Sequence, residues 1–68
     1  MTISARNRLE GKITEIQLGG VMGHVTIKVG DNLVESVITR RSAEEMNLKV
    51  GDTVWAVIKS TEVMLEKK

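Results

Sequence analysis

The sequence predicts an all-β fold, a small OB-fold-like five-stranded Greek-key barrel with one short helix between strands 3 and 4. Three observations predict it. Apolar and polar residues alternate along separate stretches, glycine-containing turns divide those stretches, and one helix-start signal follows the third of them.

The first strand reads as Leu9 to Leu18. Leu9, Gly11 and Ile13 share one parity, then Ile16 and Leu18 take the other, which calls for a bulge or a strongly coiled strand, with Gly11 permitting the bend. Gly19-Gly20 punctuates. In Val21 to Val29, Val21, Val25, Ile27 and Val29 share one face while Met22, His24, Thr26 and Lys28 share the other, the pattern of a half-buried strand. Gly30-Asp31-Asn32 is a short hairpin loop into Leu33 to Thr39, so the first three strands form an antiparallel meander.

Ser42-Ala43-Glu44-Glu45 then has the Ser-x-x-Glu spacing in which Ser42 caps a helix and Glu45 reaches back to it, and that helix runs through about Asn47. Val50-Gly51-Asp52 turns the chain into Thr53 to Lys59, where Val54, Ala56 and Ile58 alternate with Trp55 and Val57. The tail Val63-Met64-Leu65 is expected to supply the fifth, short strand.

No proline-rich linker, charge block or repeat divides residues 1–68, so a single domain is expected. A chain of 68 residues buries a small core, and with no cysteine it has neither disulfides nor a thiolate zinc site to reinforce it. Oligomerisation is the remaining common reinforcement. With Trp55 the only aromatic residue, the core must be aliphatic. Ten basic and nine acidic residues nearly cancel, so no long-range field draws the protein to nucleic acid or a membrane surface, and any anion site has to be local. The opening residues lack the apolar run of a signal peptide and no stretch approaches a membrane span, so a soluble, cytoplasmic protein is expected.

Catalysis is hard to assemble from these residues, and no enzyme is expected. His24 is the only histidine, which rules out a multi-histidine metal site or a Cys-His pair within one chain. As a strand residue His24 reads first as partly buried or surface structure, and second as a donor near a symmetry axis of an oligomer. The carboxylates are scattered over turns, the helix start and solvent-facing strand positions. Gly19-Gly20 is no phosphate loop of the Walker type.

Two clusters of hydrogen-bond donors remain: Ser4-Ala5-Arg6-Asn7 ahead of the first strand, and Lys59-Ser60-Thr61 at the end of the Trp55-containing strand. Arg6 offers a planar fork, Lys59 a compact charge, and Ser4, Ser60 and Thr61 hydroxyls, a mixture that suits a tetrahedral dianion. Each charge-assisted hydrogen bond is worth roughly 1.5–3 kcal/mol net, so a handful reaches the ~8 kcal/mol of micromolar binding if it exceeds the dianion's desolvation cost. Ordinary solvated charges at Arg6 and Lys59, with a turn at Ser60-Thr61, are the competing interpretation.

The stretches ISARNRLEGKITEI, GHVTIKVGDN and SVITRRSAEEMNLKVGDTVWAVIKSTEVML together resemble the molbindins, small Mop-type proteins whose related modules occur as TOBE domains of molybdate transporters and regulators. The match runs from about Ile3 to Leu65. The resemblance implies an OB-like domain that assembles as a homohexamer, a trimer of dimers, and holds molybdate or tungstate at subunit interfaces. It implies that Ser4, Ala5, Arg6 and Asn7 of one subunit meet Lys59 and Ser60 of another, with the oxo groups rather than the metal touching the protein and no further cofactor. It also implies sites near the threefold axes, for which Gly19, Gly20 and His24 are the candidates. Trp55 departs from the resemblance, standing where a smaller residue is expected.

Reversible storage or buffering of the oxyanion is the function this predicts. Two alternatives belong to other classes. An OB-type single-stranded nucleic-acid binder would present aromatic platforms along a basic groove, and this chain has one aromatic residue and almost no net charge. A structural or ligand-sensing module that docks on another protein is the third. Donor identity does not separate molybdate from tungstate, and only pocket dimensions would reject sulfate.

Overall fold

The structure, a computed structural model, describes residues 6–68. It consists of strands β1 (Asn7–Leu18), β2 (Met22–Val29) and β3 (Asn32–Thr39), helix α1 (Arg40–Glu45), strand β4 (Thr53–Ile58) and a 3₁₀ turn at Ser60–Glu62. The strands form one antiparallel sheet in the order β3-β2-β1-β4. Three hairpin-connected strands with a fourth returning beside the first make a Greek key, as expected.

The parity change in β1 is a bulge. The β1–β2 register slips between Ile13 and Glu15, so Thr14 is the extra residue. Ile13 and Ile16 therefore both face the core, although odd spacing would send them to opposite sides. The turn before β4 closes the gap this leaves: the Ile13 N–H donates to the Asp52 carbonyl at 3.0 Å, and the Gly51 N–H donates to the Ile13 carbonyl at 2.8 Å. Gly11 is where β1 passes from one neighbour to the other. A Cβ at that position would collide with the Lys28 carbonyl and with the side chains of Ile27 and Val29, so close approach, not bending alone, requires glycine there.

Gly30 and Asp31 connect β2 to β3 as a two-residue loop, with Gly30 at φ 61°, the glycine position of a type II′ turn. The helix starts earlier than the Ser-x-x-Glu spacing indicates. Thr39 is its cap: the Ser42 N–H donates to Thr39 Oγ1 at 3.1 Å, and that hydroxyl donates on to Ser42 Oγ at 2.8 Å. Ser42 is thus the third helical residue, because β3 already delivers Thr39 in extended geometry (φ −70°, ψ 148°) with its oxygen over the first turn. The helix ends in a Schellman arrangement, Leu48 N–H to the Ala43 carbonyl and Asn47 N–H to the Glu44 carbonyl, with Asn47 at φ 52°. That ending folds Leu48 back onto the core.

The core is aliphatic, as the composition requires: Ile13, Val25, Ile27 and Ala56 are buried, with Ile16, Val29, Val34, Ile38, Leu48 and Val54 packed around them. The expected fifth strand does not form among the described residues. Beyond the 3₁₀ turn, Val63-Met64-Leu65 makes no ladder, and Met64 and Leu65 are 92% and 95% exposed. Fixing a residue's backbone costs roughly 1–2 kcal/mol, more than three side chains recover when the preceding turn leads them away from the sheet. The barrel is therefore open between the free edges of β3 and β4. An apolar groove of about 670 Å³ lies there, floored by Ile13, Val25 and Ile27. No helix is long and apolar enough to cross a membrane among the described residues.

Candidate functional site

The β1–β4 register decides what the two donor clusters can do together. The ladder runs from Lys12↔Thr53 to Asn7↔Ile58, so the next residues outward, Arg6 and Lys59, emerge from the same end of the ribbon. Asn7 opens β1, Lys59 follows β4 in extended geometry (φ −65°, ψ 139°), and Ser60 begins the 3₁₀ turn. All four are exposed. Ser4 and Ala5 lie outside the described residues. Among the described residues, no hydrogen bond or ion pair ties the side chains of Arg6, Asn7, Lys59 and Ser60 to one another. Among the described residues, one chain thus brings Arg6, Asn7, Lys59 and Ser60 to one edge.

Alternation sorts these side chains by face. Along β4, Val54, Ala56 and Ile58 turn inward, and Trp55 and Val57 turn outward, 53% and 43% exposed. Arg8 stands opposite Val57, and its guanidinium carbon lies 5.0 Å from the centroid of the Trp55 ring. Cation–π pairs at exposed sites are worth about 0.5–1 kcal/mol, enough to bias a flexible side chain toward one rotamer family. Arg8 shares this outer face, and Arg6, just before β1, and Lys59, just after β4, flank it at the same end of the ribbon. Glu10, opposite Trp55, shares that face.

Arg8 was not among the sequence-predicted residues. Its signal was present as a second arginine directly after Ser4-Ala5-Arg6-Asn7. Trp55, standing where a smaller residue is expected, lies on the outer face and is not part of the core cluster.

Gly19, Gly20 and His24 gather at the opposite end of β1. The Gly19 N–H donates to the Met22 carbonyl at 2.7 Å, and the Gly19 carbonyl accepts from Arg40 Nη1 at 3.1 Å, so both of its backbone groups are engaged. His24 Nε2 lies 3.3 Å from Glu35 Oε1, an ion pair whenever the imidazole is protonated. His24 and Gly19 line one shallow depression of about 350 Å³, and Gly20 lines another beside Arg40 and Arg41. Among the described residues, no group of three His, Asp or Glu side chains is arranged to hold a metal ion.

Residues 3–65 match the TOBE domain. The chain is 42% identical over 66 residues to molybdenum-pterin-binding protein 1 of Clostridium pasteurianum, covering 96% of this chain and 97% of that protein. Its fold superposes on a molybdate-binding protein from Sporomusa ovata with a TM-score of 0.93 at 36% identity, covering 98% of this chain and all of the other. The cytoplasmic molybdate-binding protein ModG, solved with molybdate bound, is similar at a TM-score of 0.81 and 34% identity, over 88% of this chain and 43% of ModG.

Proposed function

The chain belongs to the TOBE domain family, as the resemblance to the molbindins predicts, and from that premise we propose that it binds molybdate or tungstate reversibly as a cytoplasmic oxyanion store. The observation that carries the proposal is the last rung of the β1–β4 ladder, Asn7↔Ile58, which puts the Arg6 and Lys59 segments of each chain at one exposed edge, where a facing subunit can meet either of them. In this reading the anion's oxo groups accept hydrogen bonds from Arg6, Asn7, Lys59 and Ser60, with Ser4 and Ala5 completing the set. The metal atom itself meets no protein ligand, and the bound oxyanion is the only ligand. Binding of this kind has no reaction to perform, so the protein is read as a binder and not an enzyme.

Subunit interfaces complete the site, with Ser4 to Asn7 of one chain against Lys59-Ser60 of another in a homohexamer built as a trimer of dimers. Two features support assembly. Among the described residues, the groove between β3 and β4 leaves both strand edges unpaired, and an open edge is a template for another chain. Val63, Met64 and Leu65 are an exposed apolar segment on the same chain, of the type a second copy's groove accepts. The end of β1 holding Gly19, Gly20 and His24 is the proposed axial region, where threefold symmetry would triple each donor.

Nucleic-acid binding is the weaker reading. The outer sheet face offers one aromatic platform, Trp55, and no second on which another base would stack. Calorimetric titration with molybdate, tungstate and sulfate, alongside native mass spectrometry, tests the proposal. Saturable binding of either larger oxyanion by a hexamer is expected, and heat from neither would overturn it.

A further inference from the structure

We propose that Arg8 is a third cation of the oxyanion site and that Trp55 is its positioning residue. This rests on the oxyanion reading above and adds to it a specific side chain and a way of holding it.

Geometry carries the argument. Arg8 is the second residue of β1 and stands opposite Val57, while Arg6 immediately precedes β1 and Lys59 immediately follows β4, so both flank Arg8 at this end of the ribbon. An arginine so exposed would ordinarily sample many rotamers. Here the guanidinium carbon sits 5.0 Å from the Trp55 ring centroid. An aromatic ring engages a guanidinium through its flat face, while all five N–H donors lie in the guanidinium plane. The indole therefore restrains the group without offering it a hydrogen-bond acceptor, and the N–H donors remain available to an anion.

Contrast with the other arginines sharpens the point. Arg40 and Arg41 are each engaged by a carboxylate one helical turn away, Glu44 and Glu45, at 3.3 and 3.2 Å. Among the described residues, no carboxylate forms an ion pair with Arg8.

Trp55 is the only tryptophan, so its fluorescence reports this locus directly. In the intact protein, molybdate and tungstate should shift that emission saturably, with the midpoint found by calorimetry. Arg8→Gln keeps an amide and much of the stem but removes the charge, and should raise Kd about tenfold, the equivalent of one charge-assisted hydrogen bond. It should also flatten the dependence of Kd on chloride concentration, which a merely structural role would not do. Trp55→Leu should weaken binding several-fold with Arg8 present, and Trp55→Phe should recover part of the loss. In an Arg8→Gln background, Trp55→Leu should add nothing.

Unchanged affinity and chloride dependence in Arg8→Gln, with Arg6→Gln impaired, would overturn the Arg8 assignment and leave the oxyanion reading standing. Absence of molybdate and tungstate binding by the unsubstituted protein would overturn both.

Discussion

Asn7 pairs with Ile58 on the last rung of the β1–β4 ladder, and this one pairing determines that Arg6 and Lys59 leave the sheet side by side. If both act on the same oxyanion, Arg6→Ala and Lys59→Ala should each raise Kd tenfold to a hundredfold, since each removes a charge-assisted hydrogen bond of roughly 1.5–3 kcal/mol. Exposed positions such as these should leave thermal stability within about 0.5 kcal/mol. Unchanged calorimetric affinity in both variants would remove them from the site.

Whether the two residues come from one chain or two has its own signature. Mixing Arg6→Ala chains with Lys59→Ala chains, after dissociation and reassembly, creates interfaces in which one intact Arg6 meets one intact Lys59. A site shared between subunits should then regain a fraction of full-affinity binding in the mixture. If one chain supplies both residues, every site in the mixture stays defective and no recovery appears in the titration.

The exposed tail and the open groove belong to one prediction. Val63→Asp with Leu65→Asp would put charge on a segment proposed to cover Ile13, Val25 and Ile27 in a second copy. Native mass spectrometry should show smaller species than the unsubstituted protein gives. A hexamer of unchanged mass and stability would mean that the tail covers nothing.

Much of this was legible in the residues because alternation is a direct consequence of strand geometry. Val54, Ala56 and Ile58 point inward and Trp55 and Val57 outward as their parity requires, and the parity change in β1 is the bulge at Thr14. The helix start was displaced because both Thr39 and Ser42 carry capping hydroxyls, and only the direction in which β3 ends selects between them. The tail reads as a strand because its residues are apolar, yet pairing depends on a neighbour's geometry, which composition does not encode. For the site, the sequence supplied Arg6, Asn7, Lys59 and Ser60 as donors. Their arrival at one end, and the presence of Arg8 beside them, depends on a register set between residues about fifty positions apart.

The helix cap gives a direct test of that correction. Thr39→Ala removes the oxygen that accepts from the Ser42 N–H, and should cost about 1 kcal/mol in chemical denaturation. Ser42→Ala keeps that acceptor and should cost less, although the Ser-x-x-Glu spacing alone ranks it as the cap. Equal losses would mean that the hydroxyl pair acts as a unit.

Gly11 supports the most severe prediction. A Cβ there has no flexible neighbour to displace toward solvent: it meets the backbone carbonyl of Lys28 and the side chains of Ile27 and Val29, and Ile27 belongs to the buried core. Relief requires β1 and β2 to separate where the β1–β4 ladder ends and the β1–β2 ladder starts. Gly11→Ala should therefore destabilise by about 3 kcal/mol, at the upper end for overpacking. The same separation would shift β1 against β4 and misalign Arg6 with Lys59, so oxyanion affinity should fall in protein that remains folded. Denaturant unfolding and calorimetry on one preparation distinguish these effects. A stable Gly11→Ala protein with full affinity would show that the strands tolerate the extra methyl and that the close approach is not what holds the site in register.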